Sequence, residues 1–169
     1  TEHPGLLGWA RDRVQTLLAR KQVKRILLIP YAVIRSDWDA RAQDLAESLG
    51  VETISIHQFD DPVDAIQRAD AIFISGGNTW RLNQLLHEYG LVVPIQRAVR
   101  ERGVPYVGWS SGCNVATPSS LTTNDMPVCS AADSALSVQT RWLPMASSMS
   151  CLSAQRDGCG LGAHGVAGG

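Results

Sequence analysis

Ser110 sits at the centre of Gly108-Trp109-Ser110-Ser111-Gly112, directly after the apolar run Val104-Pro105-Tyr106-Val107. A serine flanked by two such glycines, where a strand passes straight into a helix, is the arrangement of a nucleophile elbow. The turn is tight, so small residues are needed on both sides. Gly108 and Gly112 let the backbone and the following helix approach without a Cβ clash. Such a turn would lift the Ser110 hydroxyl to the carboxyl end of a sheet, beside a helix N-terminus. Free backbone N–H groups there can stabilise a developing oxyanion. The chemistry implied is acyl transfer through a serine nucleophile. Glycine and serine are common in loops, so the pattern alone is weak; the strand in front of it supplies the context it requires.

Two further segments could serve such a site. Ser75-Gly76-Gly77-Asn78-Thr79 follows the apolar run Ala71-Ile72-Phe73-Ile74. Alone it reads as a strand-to-helix turn with Asn78 or Thr79 as N-cap. Its functional reading is an anion-handling turn, with a glycine N–H facing the site. Thr122-Thr123-Asn124-Asp125-Met126-Pro127 places Asp125 before a proline turn, where an aspartate is more often structural than catalytic. A serine nucleophile also needs a base within hydrogen-bond reach. Of His3, His57, His87 and His164, only His164 follows the elbow, in Gly162-Ala163-His164-Gly165. His57 and His87 precede it and read as exposed positions, at a strand end and on a helix. Cys113, Cys129, Cys151 and Cys159 show no Cys-x-x-Cys spacing, and with the scattered histidines they form no zinc pattern. No metal is expected.

The elements that must position these residues alternate along the chain. Residues 5–20 carry Leu6, Leu7, Ala10, Val14, Leu17 and Leu18 at helical spacing. Arg25 to Pro30 is a short apolar run, as in a parallel strand buried on both faces. Helical spacing returns over 37–48, with Gly50 as its stop. Val51 to Ile56 alternates as a strand, and Asp61-Pro62 opens a short helix. Ala71 to Ile74 is another buried strand. Helices follow over 80–88 and about 91–102, then a strand at 104–107 and the elbow. Four strand–helix alternations with short turns predict an α/β fold, a parallel sheet covered on both faces. Sites in such sheets form at the carboxyl ends of the strands, where both glycine turns fall.

The chain of 169 residues suffices for one domain, and 44% hydrophobic with 18% charged residues fits a globular protein. A net charge of -1 gives no reason to expect nucleic acid or a membrane surface as partner. No stretch is apolar enough to cross a bilayer, and the opening residues lack a signal peptide's layout. We therefore expect a cytoplasmic protein with reduced thiols. Residues 129–169 are different in kind: they contain no Ile, Phe, Tyr, Lys, Glu or Asn, and no periodicity survives there.

Together, Ile74-Ser75-Gly76-Gly77-Asn78-Thr79, Val107-Gly108-Trp109-Ser110-Ser111-Gly112-Cys113-Asn114 and Thr122-Thr123-Asn124-Asp125-Met126-Pro127 closely resemble peptidase E in order and spacing. This is the alpha-aspartyl dipeptidase family of serine peptidases, in the class I glutamine amidotransferase-like superfamily. The resemblance covers residues 1 to about 128. It implies a flavodoxin-like, three-layer sandwich around a mostly parallel sheet, and hydrolysis of dipeptides with N-terminal aspartate, without metal or cofactor. It implies Ser110 as nucleophile and the backbone N–H groups of Gly77 and Ser111 as oxyanion-hole donors. Asp125 matches an aspartate assigned to catalysis, and Asn78 is placed to contact a small peptide substrate.

The chain departs from that pattern in three places. The family's base is a histidine downstream, in an Asn-Pro-His context that is absent here; the surroundings of His164 do not match it. The basic pocket for the substrate aspartate should lie partly in the same region, where only Arg141 and Arg156 remain as basic side chains. The family's first strand would fall before Thr1. Residues 1–128 are thus expected to be a partial family domain, incomplete at both ends, and 129–169 a disordered or frameshifted tail. Two alternatives follow: a catalytically inactive, truncated or frameshifted family member, or a cyanophycinase-like serine hydrolase.

Overall fold

The computed structural model describes residues 5–117 and 150–153. Each of the four expected strands forms: β1 is Arg25–Ile29, β2 Glu52–Ser55, β3 Ala71–Ile74 and β4 Tyr106–Trp109. β1 pairs in parallel with β2 and with β3, and β3 with β4. A fifth strand, β5 (Ser150–Ser153), runs antiparallel beside β4, giving the order β2-β1-β3-β4-β5. β5 lies in the stretch whose sequence shows no strand periodicity.

Alternate residues of each strand serve opposite layers, as the pleat dictates. Ile26, Leu28, Phe73 and Val107 pack with Val14, Leu18, Leu45 and Leu49, from α1 (Arg11–Arg20) and α2 (Trp38–Leu49). Leu27, Ile29, Ile72 and Ile74 pack with Ile66, Leu82, Leu86 and Ile95 on the other face. Those come from α3 (Pro62–Gln67), α4 (Thr79–Glu88) and α5 (Val92–Arg100). Both faces of the central strands are closed to solvent, which explains why they read as continuous apolar runs rather than alternating ones. Burying one such Leu or Ile stabilises by about 1.5–3 kcal/mol. The result is the expected α/β, flavodoxin-like three-layer sandwich with a mostly parallel sheet.

Local signals behave as their chemistry requires. Asp61 caps α3, its carboxylate accepting from the N–H groups of Val63 (2.8 Å) and Asp64 (3.1 Å). Gly50 ends α2 in the left-handed region at φ 70°, its N–H bonded to the Ala46 carbonyl. Two boundaries move. The first helix begins at Arg11 rather than near residue 5, because Leu7 turns to φ 62° and Gly8–Ala10 form a separate 3-10 turn. The strand expected at 104–107 runs instead from Tyr106 to Trp109. Pro105 has no N–H to give the ladder, and the Val104 N–H bonds back to Ala98. The shift carries the strand to the residue before Ser110.

Strand order reverses between β1 and β3, one of which leads outward to β2 and the other to β4. The crevice at that switch point, beyond the carboxyl ends of the strands, is where open α/β sheets bind ligands. The turns after β1, β3 and β4 meet there.

Candidate active site

Ser110 directly follows β4, with φ 52° and ψ -113°. A side-chain-bearing residue held in such a region costs about 1–3 kcal/mol and persists only where its surroundings enforce it. Here the surroundings are backbone. A Cβ on Gly112 would lie 2.3 Å from the Ile74 carbonyl oxygen, and one on Gly108 2.5 Å from that of Gly112. The short helix α6 (Ser111–Asn114) is thereby pressed onto β3 and β4 at a distance only glycine allows. Tyr106 Oη donates to the Gly112 carbonyl, and the Ser110 carbonyl accepts from the N–H groups of Cys113 and Asn114. Ser110 itself is exposed. The elbow expected from the sequence is present.

The turn after β3 lies against it. A Cβ on Gly76 would come within 2.9 Å of the Ser110 Cβ. Gly77 has φ 147°, and a Cβ there would fall 2.3 Å from the Ala32 carbonyl oxygen, in the turn after β1. The Asn78 N–H donates to that same oxygen at 2.8 Å. Asn78 is the N-cap of α4, its side-chain oxygen accepting from the Arg81 N–H at 2.9 Å. Among the described residues, neither the Gly77 N–H nor the Ser111 N–H donates to a protein acceptor. These two N–H groups belong to the residue after Ser110 and to the residue after Gly76, which packs on the exposed Ser110. This arrangement can stabilise negative charge on an oxygen beside Ser110.

Comparison with known proteins gives the family of the chain. The family model described as peptidase family S51 matches residues 5–139. The chain belongs to peptidase family S51. A Drosophila melanogaster protein named "Probable alpha-aspartyl dipeptidase" is 42% identical over 125 residues, covering 73% of this chain and 52% of that protein. Peptidase E of Escherichia coli O6:K15:H31 is 39% identical over 125 residues, covering 72% of this chain and 54% of its own length. The chain therefore spans about half the length of the curated relatives it matches. A crystal structure of a Listeria monocytogenes EGD-e protein named for peptidase E aligns with a TM-score of 0.46 at 27% identity. That alignment covers 57% of this chain and 50% of the other.

Within this S51 chain, Asp125 and His164 lie outside the described residues. His57 is not the exposed residue its sequence position suggests. Its ring packs 5.2 Å from Trp38, Nδ1 pairs with Ser55 Oγ at 2.7 Å, and Nε2 lies 3.2 Å from Asp39 Oδ1. It also follows β2, three strand positions from β4, so about 14 Å of sheet separates it from Ser110. His87 is exposed, as expected, in the last turn of α4. About 12 Å of helix lies between it and the Thr79 end that meets the site. The sequence brings Gly76, Gly77, Asn78, Ser110 and Ser111 together and leaves both described histidines away from them.

Some contacts had no signal in the sequence. Ser111 Oγ donates to the Gly77 carbonyl, and Asn114 Nδ2 to Thr79 Oγ1 at 3.0 Å, both joining α6 to the turn after β3. Beside Ala32, Tyr31 packs against Trp38 and Tyr89 with ring centroids 5.2 and 5.3 Å apart. Burial, with Tyr89 adding to it, pushes the Tyr31 hydroxyl well above the usual tyrosine range. Among the described residues no three His, Cys, Asp or Glu side chains are grouped to hold a metal ion. No described helix is long and apolar enough to cross a membrane.

Proposed function

We propose that this chain is a serine-type dipeptidase acting on dipeptides with N-terminal aspartate through Ser110. The observation that carries the reading is the exposed Ser110 on a strained elbow, packed against Gly76, with the N–H groups of the adjoining Gly77 and Ser111 unengaged among the described residues. In the reaction, Ser110 Oγ attacks the aspartyl carbonyl and its proton passes to a base. The oxyanion accepts hydrogen bonds from the Gly77 and Ser111 N–H groups; loss of one such donor typically costs about 10²–10³ in turnover. The tetrahedral species expels the amine of the second residue, which takes the proton from the base, and water then cleaves the acyl-enzyme.

The remaining roles rest on residue matches alone. Asp125 orients the base or holds the geometry, Asn78 contacts the substrate, and His164 is the candidate base. The preference for aspartate is supported by the name of the Drosophila relative. A second reading has an observation in its favour, because neither described histidine lies beside Ser110. In that reading the chain keeps the fold and the nucleophile without turnover.

Hydrolysis of Asp-Leu by the purified chain separates the two, with Leu-Leu and the Ser110→Ala protein as controls. Cleavage of Asp-Leu alone, lost in the variant, establishes the dipeptidase. Equal cleavage by the variant refutes the role of Ser110. Absence of cleavage from a folded sample establishes the second reading.

A further inference from the structure

The Ser111 side chain does something that its backbone role does not require. Ser111 is fully buried, and its hydroxyl donates to the Gly77 carbonyl, 34 residues away in the chain. That carbonyl shares a peptide plane with the Asn78 N–H, which donates to Ala32. The plane is therefore gripped at both edges, by the β1 turn on one side and by α6 on the other.

We propose that the Ser111 hydroxyl is a positioning group for the oxyanion site: by fixing the Gly77–Asn78 plane it keeps the Gly77 N–H directed beside Ser110. The proposal rests on the reading of Ser110 as nucleophile. Gly77 needs an outside restraint, because glycine at φ 147° has no Cβ to confine it. With the hydroxyl gone, the plane loses its tie to α6, and the neighbouring peptide that carries the Gly77 N–H can rotate with it. The Asn114–Thr79 bond still ties α6 to α4, so the elbow and the turn stay together. Alanine retains the Ser111 N–H, so Ser111→Ala removes the restraint and leaves both oxyanion donors in the chain.

The test compares wild type, Ser111→Ala and Ser111→Thr by amide hydrogen exchange and by Asp-Leu kinetics. In Ser111→Ala, exchange at Asn78 should rise about tenfold or more while Val107 in β4 stays unchanged. Turnover should fall roughly 10–100-fold with KM within about twofold, and Ser111→Thr should return both readings toward wild type. Unchanged exchange at Asn78 overturns the proposal, and so does faster exchange with kcat unchanged. Equal loss of protection at Val107 also overturns it, since that signals general loosening. If the wild-type chain shows no turnover, the dipeptidase reading fails by itself, and exchange at Asn78 still decides whether Ser111 restrains the turn.

Discussion

Replacing Ser110 by glycine will make the chain more stable than replacing it by alanine, although both variants lack the hydroxyl. Ser110 holds φ 52° and ψ -113°, the mirror image of an ordinary extended conformation, which glycine adopts freely and alanine does not. Alanine keeps the backbone strain of about 1–3 kcal/mol; glycine removes it. Against this, glycine gives the unfolded chain more freedom, which costs roughly 0.5–1 kcal/mol. The residue is exposed, so loss of the alanine methyl adds little. At the centre of these ranges the balance favours glycine by about 1 kcal/mol. For a chain of this size a urea slope of about 2 kcal/mol/M turns that into a midpoint difference of roughly 0.5 M. Urea unfolding of the two variants under identical conditions measures it. A glycine variant at or below the alanine midpoint would refute the strained elbow.

Two other outcomes test the surroundings of the site. Gly112→Ala sets a Cβ 2.3 Å from the Ile74 carbonyl oxygen, a backbone atom that cannot turn aside. Destabilisation by about 3 kcal/mol or more is expected in urea unfolding, and a loss under about 1 kcal/mol would mean the helix–strand contact is not tight. Tyr31 tests the buried aromatic floor through alkaline pH. Its folded pKa is raised above the ordinary value of 10.0, so above that pH the unfolded chain has lost a proton that the folded chain keeps. Stability therefore falls as pH rises past 10.0, and Tyr31→Phe flattens that fall above about pH 10. Equal slopes for wild type and variant would show that Tyr31 is not the buried group responsible.

The sheet was legible because parallel strands buried on both faces leave unmistakable apolar runs, and because Gly50 and Asp61 mark helix ends by simple local chemistry. The elbow was legible for the same reason: Gly108 and Gly112 are needed where backbone meets backbone. What could not be read was decided by partners far along the chain. His57 looked exposed because nothing in its neighbourhood announces Trp38 and Asp39 folding over it. The start of β4 moved because Val104 spends its N–H on Ala98. The Ser111 hydroxyl is indistinguishable in sequence from any loop serine, since its acceptor is the carbonyl of a residue in another turn.

The crossing of those three turns has a consequence for the order in which the molecule comes into being. Ala32, Gly77 and Ser110 belong to separate strand ends, and each is held in place by the others' backbone. No local segment can form this arrangement in advance: the elbow has its shape only once β3 is there to press on α6. The strained turn at Ser110 therefore requires that long-range pairing, and it is lost in any opening that parts β3 from β4. A nascent or partly unfolded chain would carry the same serine in a relaxed backbone conformation.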